Sequence, residues 1–246
     1  MKKVFLKNLK WFLMTTSKNL VSIIMSVYNS EDTIIASIES LIKQSYENIE
    51  ILILDDASTD MTYEICKGYE ADYSKVKVYN NIKNLGLTKS LNILIKKTKG
   101  NFIARQDADD TSKESRIENQ YSFLVNHSLD ACTTRANIKD TNKLTPNKSY
   151  YLPPKVAMKI KNPFIHGTLL IRKNILESVG LYDERFYYSQ DYKLMADLIK
   201  KGYKVKIMKD SLYVLNMDGN ISVNNKNEQK YYADCVRKNK KPKTTI

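Results

Sequence analysis

The 246-residue sequence is 42% hydrophobic, enough for one large domain with a full core. Its net charge of +13 sits mostly at the ends: residues 1–20 hold five lysines and no acid, and residues 226–246 hold seven basic residues against Glu228 and Asp234. The near-neutral body between them excludes a nucleic-acid-binding protein, whose basic surface belongs on the folded face.

Basic ends on a neutral body suit peripheral contact with an anionic membrane surface. Cys66, Cys132 and Cys235 are too few and too far apart for a disulfide framework or a C-x-x-C metal site, which points to a reducing compartment. No apolar run reaches the length of a membrane span, and no small-residue cleavage site follows the N-terminal lysines. The expected location is cytoplasmic, with any membrane contact on the inner face. Three stretches are expected: a basic amphipathic segment over 1–20, one catalytic body over 21–222, and a basic tail over 223–246.

In chain order, Val4, Phe5, Leu9, Phe12 and Leu13 recur at helical spacing, which fits an interfacial helix or an ordinary packed one. Residues 21–27 read as a buried β-branched strand. They run into Tyr28-Asn29-Ser30, where Ser30 is placed to cap a helix carrying Ile34, Ile38 and Leu41. A second buried strand over 49–54 ends in Asp55-Asp56, followed by a helix over about 61–69 and a third strand over 76–79. Asn84-Leu85-Gly86-Leu87 turns into a helix with Leu91, Leu94 and Ile95, which leads to a short strand from Phe102. This alternation predicts an α/β fold with a largely parallel sheet and helices on both faces. Ligands of such sheets bind beyond the carboxyl ends of the strands, where Tyr28, Asp56 and Asp107 all fall.

The second half is less regular. The sequence predicts a helix over 115–127, a strand over 131–138, a loop over 141–154, a strand over 167–171, a helix opened by Asp191, and two late strands over 205–208 and 213–217. The whole is organised around Gly100–Asp110, where Asp107, Asp109 and Asp110 crowd the end of a buried strand. Neighbouring carboxylates repel, so a cation should compensate them. A hard divalent ion suits one or two carboxylates plus phosphate oxygens and water. An isolated D-x-D is more often a solvated acidic turn, an Asp before a helix is more often its cap, and His166 reads as a structural histidine.

Several motifs in this order resemble the family 2 glycosyltransferases: Val-Ser-Ile-Ile-Met-Ser-Val-Tyr-Asn-Ser-Glu, Ile-Leu-Asp-Asp-Ala-Ser-Thr-Asp, Asn-Leu-Gly-Leu-Thr-Lys-Ser-Leu-Asn, Phe-Ile-Ala-Arg-Gln-Asp-Ala-Asp-Asp, Asn-Pro-Phe-Ile-His-Gly-Thr and Ser-Gln-Asp-Tyr-Lys-Leu. The resemblance covers residues 21–222. It implies a GT-A fold, Rossmann-like with a smaller mixed acceptor-side half. It also implies inverting transfer of one sugar from a nucleotide diphosphate, UDP being the expected one, to a hydroxyl of a surface-glycan or lipid-linked acceptor. By the same resemblance Asp56 and Tyr28 contact the donor base, Asp107 reaches the ribose or metal, Asp109 binds Mn²⁺ or Mg²⁺, and Asp191 is the catalytic base. Lys89 is grouped with the nucleotide-sugar contacts, although Lys89, Arg105 and Arg116 equally suit offsetting the carboxylates. Gln190 departs from the family's frequent Glu-Asp, which bears on acceptor contacts. The processive synthases' Gln-x-x-Arg-Trp signature is absent, so single addition is expected.

The sequence speaks against two other functions. A sugar nucleotidyltransferase would want a glycine-rich phosphate loop after the first strand, where Tyr28-Asn29-Ser30-Glu31 stands. A non-catalytic basic binding module has no use for clustered carboxylates.

Overall fold

A computed structural model describes residues 19–141, 143–217 and 225–243. The amphipathic reading of residues 4–13 lies outside these. The first half alternates as the apolar runs predict: β1 (Val21–Val27), α1 (Ile34–Ile42), β2 (Ile49–Asp55), α2 (Thr62–Asp72), β3 (Val76–Asn80), α3 (Leu87–Lys97) and β4 (Phe102–Arg105). β1 pairs in parallel with β2 on one side and β4 on the other, and β2 pairs in parallel with β3. All four strands therefore point their carboxyl ends the same way. That edge is where three of the four loops carry the residues singled out in the sequence.

The second half extends the same sheet. It comprises β5 (Thr111–Ser112), α4 (Arg116–Asn126), β6 (Ala131–Ile138), β7 (Leu144–Thr145), α5 (Pro154–Ile160), β8 (Leu170–Arg172), α6 (Lys173–Ser178), α7 (Gln190–Lys200), β9 (Val205–Leu215) and α8 (Lys226–Arg237). The strand order is β3-β2-β1-β4-β8-β6-β9-β5, with β7 on β6. β8 runs antiparallel to both β4 and β6, so the sheet turns from parallel to mixed at β4. The carboxylate-rich segment after β4 sits at that change of direction.

Side-chain alternation along the strands divides the core in two. On one face Ile23, Met25, Ile51 and Ala104 meet Ile34, Ile38 and Leu41 of α1, Cys66 of α2, and Ile117 and Leu124 of α4. On the other, Ile24, Leu52 and Ile103 meet Leu91, Leu94 and Ile95 of α3, with Met195 and Leu198 of α7. Helices therefore cover both faces, as the sequence predicts.

Local differences have physical reasons. Ser30 does not cap α1: its side chain donates to Tyr28 O, and Thr33 is the N-cap residue. The strand expected over 167–171 opens as a 3₁₀ turn, His166–Thr168, and only Leu170–Arg172 is extended. The two late strands are one, β9, kept continuous by register shifts where it passes Thr134 to Ala136 of β6. The 141–154 loop carries β7 and a 3₁₀ turn, Lys148–Tyr151. The basic C-terminal stretch forms α8, whose Tyr232 and Cys235 are buried against Phe186, so this part packs on the body.

Candidate active site

The loops after β1 and β2 are zipped together by side chains that the chain supplies to its own backbone. Asn29, in the left-handed region at φ 45°, donates its N–H to Ser58 Oγ at 3.0 Å and accepts from Thr59 N at 2.8 Å. Ser30 N donates to Thr62 Oγ1 at 2.7 Å, and Glu31 accepts from Met61 N at 2.8 Å. Ala57 also stands at φ 65°, a conformation that costs an L-residue about 1–2 kcal/mol. Backbone strain of this kind concentrates at functional sites. Tyr28 projects from this paired surface, half exposed.

Asp55 and Asp56 diverge. Asp55 accepts from Ser58 N through Oδ2, and its buried Oδ1 has no partner among the described residues. Asp56 is buried and reaches the turn before α3. Its Oδ1 accepts from Asn81 Nδ2 at 2.7 Å and Leu85 N at 2.9 Å, and its Oδ2 from Gly86 N at 2.8 Å. One lone pair of Oδ2 is left for a ligand donor. The carboxylate thus first fixes the Asn84–Gly86 turn.

That turn in turn holds the loop before α7. Gly86 has φ 85°, and a Cβ there would meet the Tyr187 ring at 2.8 Å, so only glycine admits this contact. Thr88 Oγ1 donates to Phe186 O at 3.1 Å. Asn92 clamps the loop most firmly: its amide donates to Tyr182 O at 2.9 Å and Glu184 Oε1 at 3.0 Å, and its carbonyl accepts from Tyr182 N at 3.1 Å. The Asn-Leu-Gly-Leu-Thr-Lys-Ser-Leu-Asn motif is therefore a seam between the two halves. Lys89 lies on the exposed face of α3's first turn, with no partner among the described residues.

The segment after β4 is folded by Gln106, which is fully buried. Its amide donates to Asp107 O at 3.2 Å and Asp110 O at 2.9 Å, while its carbonyl accepts from Ser112 Oγ at 2.7 Å. Arg105, 1% exposed, donates from Nη2 to Asp107 Oδ1 at 2.6 Å. Its Nε and Nη1 are buried, with no partner among the described residues. Arg116, also fully buried, donates from Nη1 to Arg105 O and Gly167 O, both at 3.0 Å, and lies over the Tyr213 ring. Burial pushes its pKa down to about 10. Gly167 is required here, because a Cβ would meet Tyr213 Oη at 2.3 Å and Asp107 Oδ2 at 2.5 Å.

The three carboxylates differ. Asp107 is partly exposed and paired with Arg105. Asp110 points inward and accepts from Asn216 N at 2.7 Å; burial, then the Asp107 and Asp109 charges, push it up to about 8. Asp109 is partly exposed, and burial with the Asp107 charge pushes it up to about 6. Asp109 is thus a carboxylate held beside a like charge.

Asp191 lies in the first turn of α7, one residue inside the helix, and Ser189 occupies the N-cap position at φ 56°. The capping role is therefore not Asp191's. Asn162 Nδ2 donates to Asp191 Oδ2 at 2.7 Å. His166 Nε2 and Tyr182 Oη are 2.8 Å apart. Both groups sit within the electrostatic reach of Arg105, Asp107 and Asp191, so the pair lies near both Asp107 and Asp191. Burial first, and Arg105 second, lower the His166 pKa, so the imidazole is neutral near pH 7.

Of the residues singled out in the sequence, Asp107 and Asp191 both lie near this pair, Asp109 stands beside Asp107, and Asp56 is joined to the same region through the turn and the Tyr187 loop. Tyr28 lies at the same sheet edge, and Lys89 does not join it. The sequence reading missed Asn162, Gln106, Asn92 and Tyr213. The first three stand inside motifs already picked out, and a polar residue beside a proline or in a buried helix face was the available signal. Tyr213 carried none.

Comparison with known proteins agrees with this fold. The fold is that of GT-A glycosyltransferases. Staphylococcus aureus TarS 1-349 in complex with UDP-GlcNAc superposes with a TM-score of 0.71 at 20% identity, over 83% of this chain and 60% of that one. The Pyrobaculum calidifontis mannosyltransferase PcManGT, in complex with GDP-Man and Mn²⁺, gives 0.73 at 17%, over 97% and 72%. Residues 22–186 match the model for glycosyl transferase family 2, and the chain belongs to that family. It is 34% identical to EpsE of Bacillus subtilis over 203 residues, 80% of this chain and 73% of that protein. It is 32% identical over 195 residues to WfaP of Escherichia coli, a UDP-Glc:alpha-D-GlcNAc-diphosphoundecaprenol beta-1,3-glucosyltransferase, covering 76% of this chain and 73% of WfaP. This chain is a glycosyltransferase that uses a nucleotide-sugar donor.

The residues after β4 fit a divalent cation. Among the described residues no three metal-ligating side chains form a cage. Magnesium-like ions need none, taking one or two carboxylates and completing the shell with phosphate oxygens and water. Asp109 offers such a carboxylate, whereas Asp107 Oδ1 is taken by Arg105 and Asp110 Oδ1 by Asn216.

Two predictions follow from the packing. Asn92→Ala removes three hydrogen bonds and strands the Tyr182 backbone in a buried seam, so it should cost about 1–3 kcal/mol in urea denaturation. Transfer should fall further than donor binding, because the loop it holds carries Asp191. The second concerns Asp110. Its folded pKa is raised above the unfolded value, so the native state keeps a proton that the unfolded chain releases, and stability drains away as pH rises from about 4 toward 8. Asp110→Asn should flatten that slope, gaining on the parent between pH 5 and pH 8 in EDTA.

Proposed function

We propose that this glycosyltransferase adds one sugar with inversion, taking it from a UDP-sugar and placing it on a hydroxyl of a lipid-linked or surface-glycan acceptor. The observation that carries this reading is the placing of Asp191, held by Asn162 through Oδ2 and lying, like Asp107, within electrostatic reach of His166 and Tyr182. Its Oδ1 is left to receive a proton. A positioned carboxylate that takes the hydroxyl proton during attack typically contributes about 10²–10⁴ in rate.

On the donor side, Asp56 would accept from the base through its remaining lone pair, with Tyr28 beside it. Asp107, pinned by Arg105, would meet the ribose, and Lys89 would act only by swinging toward the phosphates from its exposed turn. Mn²⁺ or Mg²⁺ bound by Asp109 would supply Lewis-acid neutralisation of the departing diphosphate. UDP is favoured by the UDP-Glc donor in WfaP's name and by the UDP-GlcNAc complex of TarS, and a polyprenyl-diphosphate acceptor by WfaP's name. The catalytic body is taken as residues 21–222, and the basic ends as membrane-directed. No described helix is long and apolar enough to cross a membrane.

Hydrolysis and transfer measured across UDP- and GDP-sugars, with Mn²⁺ and with EDTA, test the donor assignment; activity with GDP-sugars alone would overturn it. Asp109→Ala should abolish the Mn²⁺-dependent part of calorimetric UDP binding, and equal affinity in Mn²⁺ and EDTA would remove the metal. Asp191→Asn preserves size and the first-turn position. It should bind UDP within threefold of the parent and lose about 10²–10⁴ in transfer, whereas parental turnover would place the base elsewhere.

A further inference from the structure

A second concave surface lies outside this site. α5, α7 and α8 enclose a groove of about 370 Å³ whose floor is Met158, Tyr192, Ile199 and Val236. Its rim is Lys155, Lys159, Lys200 and Arg237, and no acidic residue lines it. Tyr192 Oη donates to Met158 O, and Arg237 Nη1 donates to Ile160 O at 3.2 Å, so the three helices are locked at this point. Arg237 is paired with Asp234, and Lys200 reaches Asn239 Oδ1 at 3.5 Å. Among the described residues Lys155 and Lys159 have no anionic partner.

The surface around the groove continues the same pattern. On α5, Val156 is 45% exposed and Ile160 63% exposed. Lys161, Lys238, Lys240 and Lys241 are all exposed on the segments that follow α5 and α8. An apolar floor and exposed aliphatic side chains ringed by cations, of which only Arg237 has an acidic partner among the described residues, match one environment: acyl chains beneath anionic headgroups. Long basic side chains lay their methylenes on the apolar layer and reach outward to phosphate.

We propose that this α5–α7–α8 face docks on an anionic phospholipid bilayer. The basic segment 1–20, with five lysines and no acid, has the wrong charge to fill the groove. A second copy meeting it across a two-fold axis would bring the same four cations together. The docking does not depend on what the acceptor is. Its consequence for the proposed reaction is geometric. α7 begins beside Asp191 and runs into the groove with Ile199 and Lys200, about 12–14 Å along the helix at 1.5 Å per residue. Asn162, which holds Asp191, follows α5 by two residues.

The test uses the full chain and vesicles of phosphatidylglycerol with phosphatidylcholine in equal parts, against phosphatidylcholine alone, at low salt. A Lys155→Ala, Lys159→Ala, Lys200→Ala triple variant is compared with a Lys77→Ala, Lys99→Ala, Lys209→Ala triple of the same charge. Each lysine near such a surface is worth about fivefold in partitioning, so the groove triple should lose about 100-fold and the control only a fewfold. Donor hydrolysis without vesicles should stay unchanged in both, which separates this proposal from the active-site assignment. Ile160→Cys carrying an environment-sensitive fluorophore should shift to the blue on the anionic vesicles. Equal losses by the two triples, or bound protein with no shift at position 160, would overturn it. So would a groove triple that turns a dimer into a monomer while binding vesicles normally, since that assigns the face to a second copy.

Discussion

Two buried guanidinium groups at the floor of the site are the constraint on which the rest depends. Arg105 and Arg116 are 1% and 0% exposed, and burial, with the Arg105 charge adding to it, lowers the Arg116 pKa. Burying an ion costs several kcal/mol unless partners restore what water gave it. Here the partners are the Asp107 carboxylate, the carbonyls of Arg105 and Gly167, and the Tyr213 ring. Meeting that demand fixes the course of the chain after β4 and brings β8 and β9 against it. The same demand explains why Gly167 admits no side chain. Three carboxylates stand against two arginines, and burial first, with the neighbouring carboxylate charges second, raises the Asp109 and Asp110 pKa values.

A second chain of contacts joins the two halves. Asp56 spends three acceptor sites on the turn before α3, Gly86 receives the Tyr187 ring, and Asn92 holds the Tyr182 backbone. The nucleotide end and the Asp191 end are thereby built on a common support. Ser189 adds a bond from its hydroxyl to Gln229 O at 3.2 Å, and Tyr232 packs on Phe186, so α8 braces the same loop from outside. A pocket assembled in this way positions its groups before substrate arrives, which is where electrostatic stabilisation of a transition state gains most.

Much of this was legible in the sequence, because β-branched apolar runs and amphipathic helices leave strong periodic signals. β1, β2 and β6 fall where the apolar runs place them, and the parallel half follows from their alternation with helices. The motif residues Asp56 and Asp107 were singled out from their position at strand ends, and Asp109 and Asp191 from the carboxylate cluster and the order of the family-like motifs. What the sequence could not carry were partnerships across long separations. Asp56 with Gly86, Arg116 with Gly167 and Tyr213 with Asp107 join segments 30, 51 and 106 residues apart. The same blindness hid α8, whose lysines outweigh the two residues it buries, and it divided β9 where Lys209 and Asp210 face solvent.

The central claim is a single displacement, in which Asp191 takes the acceptor proton as the anomeric carbon is attacked from the face opposite the diphosphate. The most direct measurement is the anomeric configuration of the first-formed product, read by proton NMR with the donor and acceptor that the panel identifies. An α-linked nucleotide sugar should give a β-glycoside. An α-glycoside would mean retention, and would contradict the account at its centre.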